Sequence, residues 1–290
     1  MKRNLFAIIL LVLSVSCGKN GTDGLYISVD NTCWEISNET LVAWPCYIGD
    51  ELATIIQYNK AYDAFQVMNG TYSLDGHRVD VAAEQAVLMI RTFSHLKNSS
   101  NKNYTRIQPS APESMGGSLW ATLRNNDFHL VYHRQDGTFM AGTYANAVHK
   151  EGIPYGWSWK TGSYSVNGNQ YVAGDDKGTF FGNKFMVLDS LAVPCVSTIA
   201  DTEGTSSLKG TLWTYVSSGY PGFILFSSAT EFVRVLVSSN IVYSVLRGEY
   251  KLKGNSLEFK TDSEELNRTC TVSDGRFTYL DKTYSLVSSF

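Results

Sequence analysis

Gly248-Glu249-Tyr250-Lys251-Leu252-Lys253-Gly254 is the stretch on which the reading of this chain turns, because the chain holds it three times. Gly162-Ser163-Tyr164-Ser165-Val166-Asn167-Gly168 and Gly70-Thr71-Tyr72-Ser73-Leu74-Asp75-Gly76 share its form, G-x-Y-x-(Leu/Val)-x-G. Alternate apolar residues belong on one face of a strand. The closing pair suits a tight turn, since Gly and Asn accept positive φ. A second landmark keeps the same order: Trp34, Trp120 and Trp213 each precede a copy, 86 (120 − 34) and 93 (213 − 120) residues apart. Two landmarks with one period mark an internal repeat.

The alternation runs on past each turn. After Asp75-Gly76, Asn167-Gly168 and Lys253-Gly254 come Val79 and Val81, Tyr171 and Ala173, Leu257 and Phe259, apolar at matching positions. The motif strand therefore turns back on a neighbour, and one face of both is buried. In the third copy, Thr211–Val216, Phe223–Ser227 and Glu231–Val237 precede the motif, and Arg268–Val272, Arg276–Tyr279 and Thr283–Val287 follow it. These runs are rich in β-branched and aromatic residues, as strands are. Roughly seven or eight short strands in about eighty residues leave only an antiparallel meander, since parallel pairs need long crossovers. Closing the meander into a barrel protects its edges. The expected fold class is all-β, with three tandem antiparallel units at 28–108, 115–192 and 206–290. Gln108–Gly117, with Pro109 and Pro112, and Thr198–Ser207 are small, polar and aperiodic, as linkers are. A barrel of this size buries only about 60–65% of its unfolded surface, so the units are expected to lean on one another or to carry disulfides.

Composition fits this reading: 17 Tyr, 14 Phe and 24 Gly against 6 Pro favour strands joined by tight turns. The net charge is −3 and no long Lys or Arg run stands out, which argues against a nucleic-acid partner. The N-terminus is set apart. Lys2 and Arg3 precede the apolar run Leu5–Leu13, which is too short to span a bilayer as a helix of roughly 20 residues but suits a signal peptide. Leu13-Ser14-Val15-Ser16-Cys17-Gly18 then resembles the lipobox of bacterial lipoproteins, with Ser14 where that pattern prefers Leu. The resemblance implies a signal peptide over 1–16, a diacylated Cys17 (palmitate-type chains on the sulphur) as the new N-terminus, and a flexible tether over 17–27. An ordinary secretory signal is the alternative. Two acyl chains would hold the protein stably on a membrane.

The tryptophan near the start, the meander, the G-x-Y-x-h-x-G strand (h, apolar) and the final hairpin together resemble the small lipocalin-like barrel domains of Bacteroidota-type lipoproteins, over about residues 28–290. The third copy matches best. The second is shorter after its motif, running from Gly162 only to about Leu188, and the first has Ala-rich Val81–Ala86 and polar Asn98–Asn103 where strands would be expected. Closure of those two barrels is left open. The resemblance implies residence in the cell envelope, lipid-anchored at the outer membrane on either face, with a protein or glycan as partner.

With Cys17 assigned to the anchor, Cys33, Cys46, Cys195 and Cys270 remain. Four cysteines outside the cytoplasm suggest two disulfides; Cys33–Cys46, within one unit, is the pair favoured by proximity, and Cys195–Cys270 would tie the second linker to the third unit. Free buried thiols are the alternative. In Asp127–His133 a carboxylate and two imidazoles, His129 and His133, share one strand face. Residues i and i+4 on a strand lie about 13 Å apart, too far to share a metal ion. Tyr155, Trp157 and Trp159 also face one way, as a sugar-stacking platform would, but their counterparts in the other copies (Asp63, Phe65, Val67, Ile241, Tyr243 and Val245) are mostly apolar, which favours core. The chain lacks G-x-S-x-G, H-E-x-x-H and a phosphate-cradling glycine loop, and nothing in it calls for a cofactor. The expectation is a non-catalytic structural or adaptor lipoprotein, with a small-ligand or glycan-binding lipoprotein as the alternative. Large repeated side chains favour filled barrels, and hence the adaptor.

Overall fold

Each copy of the motif lies in the second half of a long strand that leaves one neighbour and joins the next. The computed structural model describes residues 29–75, 78–81, 86–92, 95–98, 103–124, 127–145, 156–189, 191–197, 205–215, 221–237 and 242–287. The first unit comprises β1 (Thr32–Ser37), β2 (Leu41–Ile48), β3 (Leu52–Asn59), β4 (Ala64–Asp75), β5 (Arg78–Val81), β6 (Ala86–Thr92), β7 (His95–Asn98) and β8 (Asn103–Ile107). The second comprises β9 (Leu119–Arg124), β10 (Asp127–His133), β11 (Thr138–Ala145), β12 (Gly156–Ser163), β13 (Ser165–Asn167), β14 (Gln170–Ala173), β15 (Asp176–Phe181), β16 (Phe185–Leu188) and β17 (Leu191–Ser197). The third comprises β18 (Leu212–Tyr215), β19 (Gly222–Leu225), β20 (Glu231–Val237), β21 (Val242–Lys253), β22 (Ser256–Lys260), β23 (Arg268–Thr271), β24 (Arg276–Tyr279) and β25 (Lys282–Leu286).

The protein is all-β, and its ladders are antiparallel. In the first unit the order β4-β3-β2-β1-β8-β7-β6-β5 returns to β4, so the barrel closes. In the second the order runs from β12 round to β13, and these two strands are one run interrupted at Tyr164, so this barrel closes as well. The third runs β23-β22-β21-β20-β19-β18-β25-β24. Its ends meet through a tight hairpin in which Ser273 and Arg276 exchange both backbone hydrogen bonds, at 2.9 and 2.8 Å. The second unit is closed by β17, which runs beyond the expected edge at 192. Its residues Leu191–Ser197 are almost uniformly apolar because both faces are covered, Ala192 and Val196 by one cluster and Val193 and Cys195 by another. A strand buried on both faces shows no alternation.

The motif glycine marks the change of partner. Gly162 stands opposite Phe139 and Gly248 opposite Phe232. A Cβ at Gly162 would lie 2.8 Å from the Phe139 ring; one at Gly248 would collide with the Lys260 carbonyl and lie 2.7 Å from the Phe232 ring. Glycine is thus the residue that lets an aromatic ring cover the bend.

The three tryptophans hold equivalent positions. Each indole N–H donates to a hydroxyl two residues back: Trp34 to Thr32 at 2.9 Å, Trp120 to Ser118 at 2.7 Å and Trp213 to Thr211 at 2.8 Å. Each hydroxyl in turn donates to a carbonyl three residues earlier, that of Val29, Met115 or Leu208. The residue before the hydroxyl has positive φ in all three: Asn31 at 55°, Gly117 at 88° and Gly210 at 75°. Each barrel therefore has one end plugged by a tryptophan on a short hydrogen-bonded chain. The repeat is longer than the tryptophan alone, reading h-x-(Gly/Asn)-(Ser/Thr)-x-Trp. The five residues before each indole carry this signal in the sequence itself.

Around these anchors lie three interior clusters. Trp34, Tyr47, Ile55 and Tyr72 fill the first barrel, Trp120, Tyr171, Phe180 and Met186 the second, and Trp213, Phe226, Phe259 and Tyr279 the third. A fourth cluster is built from the outer faces of all three, with Trp44, Phe65 and Val67 from the first, Phe128, Leu130 and Phe185 from the second, and Phe223, Val235 and Val245 from the third. The units thus share a core. β21 also pairs with β4 through Val242–Gln66 and Tyr243–Phe65, making one continuous sheet of units one and three. Arg247 joins all three: its Nε donates to Asp63 at 2.8 Å, Nη2 to the Val196 carbonyl at 2.6 Å and Nη1 to Ser197 at 3.4 Å.

Candidate functional site

The aromatic platform sits at the edge of the shared core. Trp157 and Trp159 stack on each other, 5.1 Å between centroids with planes 21° apart. Trp157 meets Phe128 and Tyr144 edge-on, and the Trp159 ring lies against Gly142, which has no side chain to displace it. Their counterparts Phe65, Val67 and Val245 belong to the same cluster. The indole N–H of Trp157 is buried with no hydrogen-bond partner among the described residues. Tyr155 lies outside the described residues, as does Cys17 with the whole N-terminal segment 1–28.

The cysteines divide into two cases. Cys33 and Cys46 face each other directly across β1 and β2, both buried, as free thiols. Burial, and then contact with the Cys33 thiol, push the Cys46 thiol well above its usual range. Directly opposed residues of an antiparallel pair have Cα atoms about 4.5–5.5 Å apart, within disulfide reach. Cys195 and Cys270 are not brought together. Cys195 packs against the interior cluster of unit two and Cys270 against that of unit three, and both are free thiols. Burial raises the first to about 12 and the second to about 11. A bond between them would need one side chain to leave its own barrel.

His129 and His133 lie on β10, and each takes a different partner. His129 Nδ1 lies 3.1 Å from the Thr143 hydroxyl. His133 is fully buried inside barrel two, its Nε2 2.8 Å from the Tyr171 hydroxyl and its Nδ1 3.5 Å from Ser118. Tyr164 and Tyr171 meet its ring edge-on. Burial lowers its pKa from 6.5 to about 3, so the imidazole is neutral throughout the physiological range. No group of three or more His, Cys, Asp or Glu able to hold a metal occurs among the described residues.

A cleft of about 380 Å³ opens between units two and three, lined by Tyr132, Arg134, Asp136, Lys209 and Ser227 among others. The β10–β11 turn forms one wall and the approach to β18 the other. Asp136 is held by its own turn, accepting from the Thr138 backbone at 2.9 Å and hydroxyl at 2.6 Å, and these bonds lower its pKa. Burial raises the Tyr132 phenol to about 12, so it stays a neutral donor at the floor. Two cations, one engaged carboxylate and a phenol can orient a polar ligand; they do not form a nucleophile paired with a base.

No protein-family model matches the chain, and no curated protein matches it. Among solved structures the chain matches the DnaN sliding clamp (DNA polymerase III subunit beta) of Pseudomonas aeruginosa bound to griselimycin, at 9% identity over 90% of this chain and 92% of the clamp, with a TM-score of 0.13. The corresponding clamp of Bartonella birtlesii, also bound to griselimycin, is 6% identical over 94% of each chain, again at a TM-score of 0.13.

Proposed function

We propose that the protein is a cell-envelope lipoprotein of the Bacteroidota type, anchored to the outer membrane through Cys17, that serves as a non-catalytic structural or adaptor protein. The observation that carries this reading is the filling of all three barrels by their own side chains around Trp34, Trp120 and Trp213, each buried and hydrogen-bonded in the same way. Barrels filled in this way present outer faces rather than lumens. Three of them packed around one core present outer faces suited to meeting a partner protein of the envelope.

The test has two parts. Cys17→Ala is expected to abolish incorporation of labelled palmitate and to release the chain from the membrane fraction; unchanged membrane retention would sink the anchor. Detergent-extracted wild type is expected to sediment with a second envelope protein, at a mass well above that of one chain, which is 32.2 kDa before residues 1–16 are removed. A second reading, binding of a small ligand or glycan, is favoured by the cleft between units two and three, whose volume falls within the range of about 300–1,000 Å³ typical of ligand sites. Sedimentation as a monomer together with a saturable response on a glycan array would favour that reading over the adaptor.

A further inference from the structure

At one interior position the third barrel departs from the other two. The ladders set Ala53 opposite Gly70, Phe139 opposite Gly162 and Phe232 opposite Gly248. Two residues further along the same inward row stand Ile55, Ala141 and Arg234. Ile55 and Ala141 belong to the apolar interiors of their barrels. Arg234 is 6% exposed.

Among the described residues the groups in contact with this guanidinium are aromatic and neutral. Its Nε donates to the Tyr284 hydroxyl at 2.8 Å, and its Cζ stands 5.2 Å from the centroid of the Tyr279 ring. Tyr215 meets Tyr284 edge-on at 5.1 Å, and the Lys282 ammonium stands 5.6 Å from the centroid of the Tyr215 ring. This end of the barrel therefore holds two cations. Burial raises the Tyr284 phenol to about 12, with Arg234 opposing the shift, so it cannot supply a counter-charge. Among the described residues no carboxylate pairs with Arg234. The segments that join β18 to β19 and β20 to β21, residues 216–220 and 238–241, contain no Asp or Glu.

A guanidinium does not shed its proton on burial; Arg234 as a whole is buried, but its terminal nitrogens are not among the buried polar atoms left without a partner, so the charged end keeps contact with water. Among the described residues a cation–π contact and one neutral hydrogen bond leave that charge without a counter-ion. Units one and two show that the fold does not require a charge here. We propose that the tyrosine-lined end of the third barrel is a binding site for a small organic carboxylate, received by the terminal nitrogens of Arg234 and flanked by the rings of Tyr215 and Tyr279. One planar guanidinium matches one carboxylate in a two-pronged bond. The rings accept the apolar remainder of the ligand, and Lys282 draws the anion toward the site. This goes beyond the adaptor reading and does not depend on it.

The experiment is calorimetric titration of the full chain in detergent with sodium benzoate, at ionic strength held constant with sodium chloride, alongside thermal unfolding in the same buffers. Saturable one-site binding and a midpoint that rises with benzoate, but not with benzyl alcohol or additional chloride, are expected. Arg234→Met should weaken the benzoate response at least tenfold while leaving the ligand-free midpoint unchanged or raised. Tyr284→Phe, which keeps the ring, should weaken it less. No saturable heat with wild type would overturn the proposal whatever the variants do. So would equal stabilisation by chloride, or an Arg234→Met chain that is destabilised yet still binds benzoate.

Discussion

Thirteen residues after its tryptophan, the second barrel buries a histidine where the third buries a phenylalanine. His133 sits among Ser118, Tyr164 and Tyr171 and is bonded to the Tyr171 hydroxyl. Phe226 sits among Trp213, Tyr250, Phe259 and Phe277, with ring contacts from 4.7 to 6.3 Å. The backbone treats them alike: His133 N–H donates to the Ser118 carbonyl at 2.9 Å and Phe226 N–H to that of Thr211 at 3.0 Å. One ladder thus carries two kinds of interior, one stabilised by ring packing and the other by a hydrogen-bonded network whose members must remain in one protonation state. The fold constrains the size of the side chain here more than its polarity.

The largest effects should come where the two barrels differ at the motif glycine. Gly248→Val would drive a Cβ into the Lys260 carbonyl, which is part of the β21–β22 ladder and cannot turn aside. A loss of about 4 kcal/mol or more is expected. Gly162→Val meets only the Phe139 ring, and a rotatable ring limits the loss to about 1–3 kcal/mol. Urea unfolding followed by tryptophan fluorescence measures both. Equal losses would show that the bend, rather than the contact at it, sets the cost.

Acid should next separate the two interiors. His133 has a folded pKa of about 3 against 6.5 for an ordinary imidazole. Between those values the unfolded chain binds a proton that the native chain does not, so stability is complete above pH 6.5 and falls as pH drops towards 3. The slope is about 1.4 kcal/mol per pH unit, or about 3 kcal/mol by pH 4. His133→Phe, which copies the third barrel, should remove that slope while leaving the contribution of the carboxylates. Urea midpoints at pH 7, 5 and 4 for both proteins give the answer; parallel curves would mean that His133 is protonated in the native state.

The anchor beneath each tryptophan should behave alike in both barrels. Ser118→Ala and Thr211→Ala each leave a buried indole N–H without its acceptor, at about 1–3 kcal/mol. Thermal unfolding of the two variants should give matching shifts. A much larger shift for Ser118→Ala would show that the serine also holds His133, 3.5 Å away.

How far the sequence could be read follows from which faces are wet. The motif strands and the hairpins after them were legible because one face meets solvent. Tyr250 and Leu252 pair with Phe259 and Leu257 inside, while Lys251, Lys253, Glu258 and Lys260 are exposed. The outer side of the units was not. In β2, Val42 to Ile48 are all buried, Trp44 and Cys46 against the shared core and Tyr47 inside the barrel. A strand covered on both sides loses its period, and so β17 was read as the edge of a linker. For Trp157 and Trp159 the sequence offers both a sugar platform and core, with their counterparts favouring core; they face outward from their own barrel, and neighbouring units half-cover them. Arg234 gave no signal at all, since a lone charge between Val233 and Val235 reads as the wet face of a strand. Only the register shows that its row is the inward one.

The smallest effects concern charge at the surface and should show that the units are joined more firmly than their surfaces are decorated. Lys160 and Asp176 form an exposed pair at 3.1 Å within unit two. Exposed pairs contribute about 0–1 kcal/mol because water screens them and ordering the side chains costs entropy, so Lys160→Ala should shift stability by no more than about 0.5 kcal/mol. Arg247 reaches Asp63 in the first unit and the Val196 carbonyl in the second, and neither contact can be replaced from within the third. Arg247→Ala should cost about 1–2 kcal/mol. It should also make proteolysis within the third unit precede loss of the other two, because the clamp is lost while the barrel interior is untouched. If Lys160→Ala and Arg247→Ala prove equally mild and the chain still unfolds in one step, the junction is held by the apolar cluster and the β21–β4 pairing, and Arg247 orients the units without binding them.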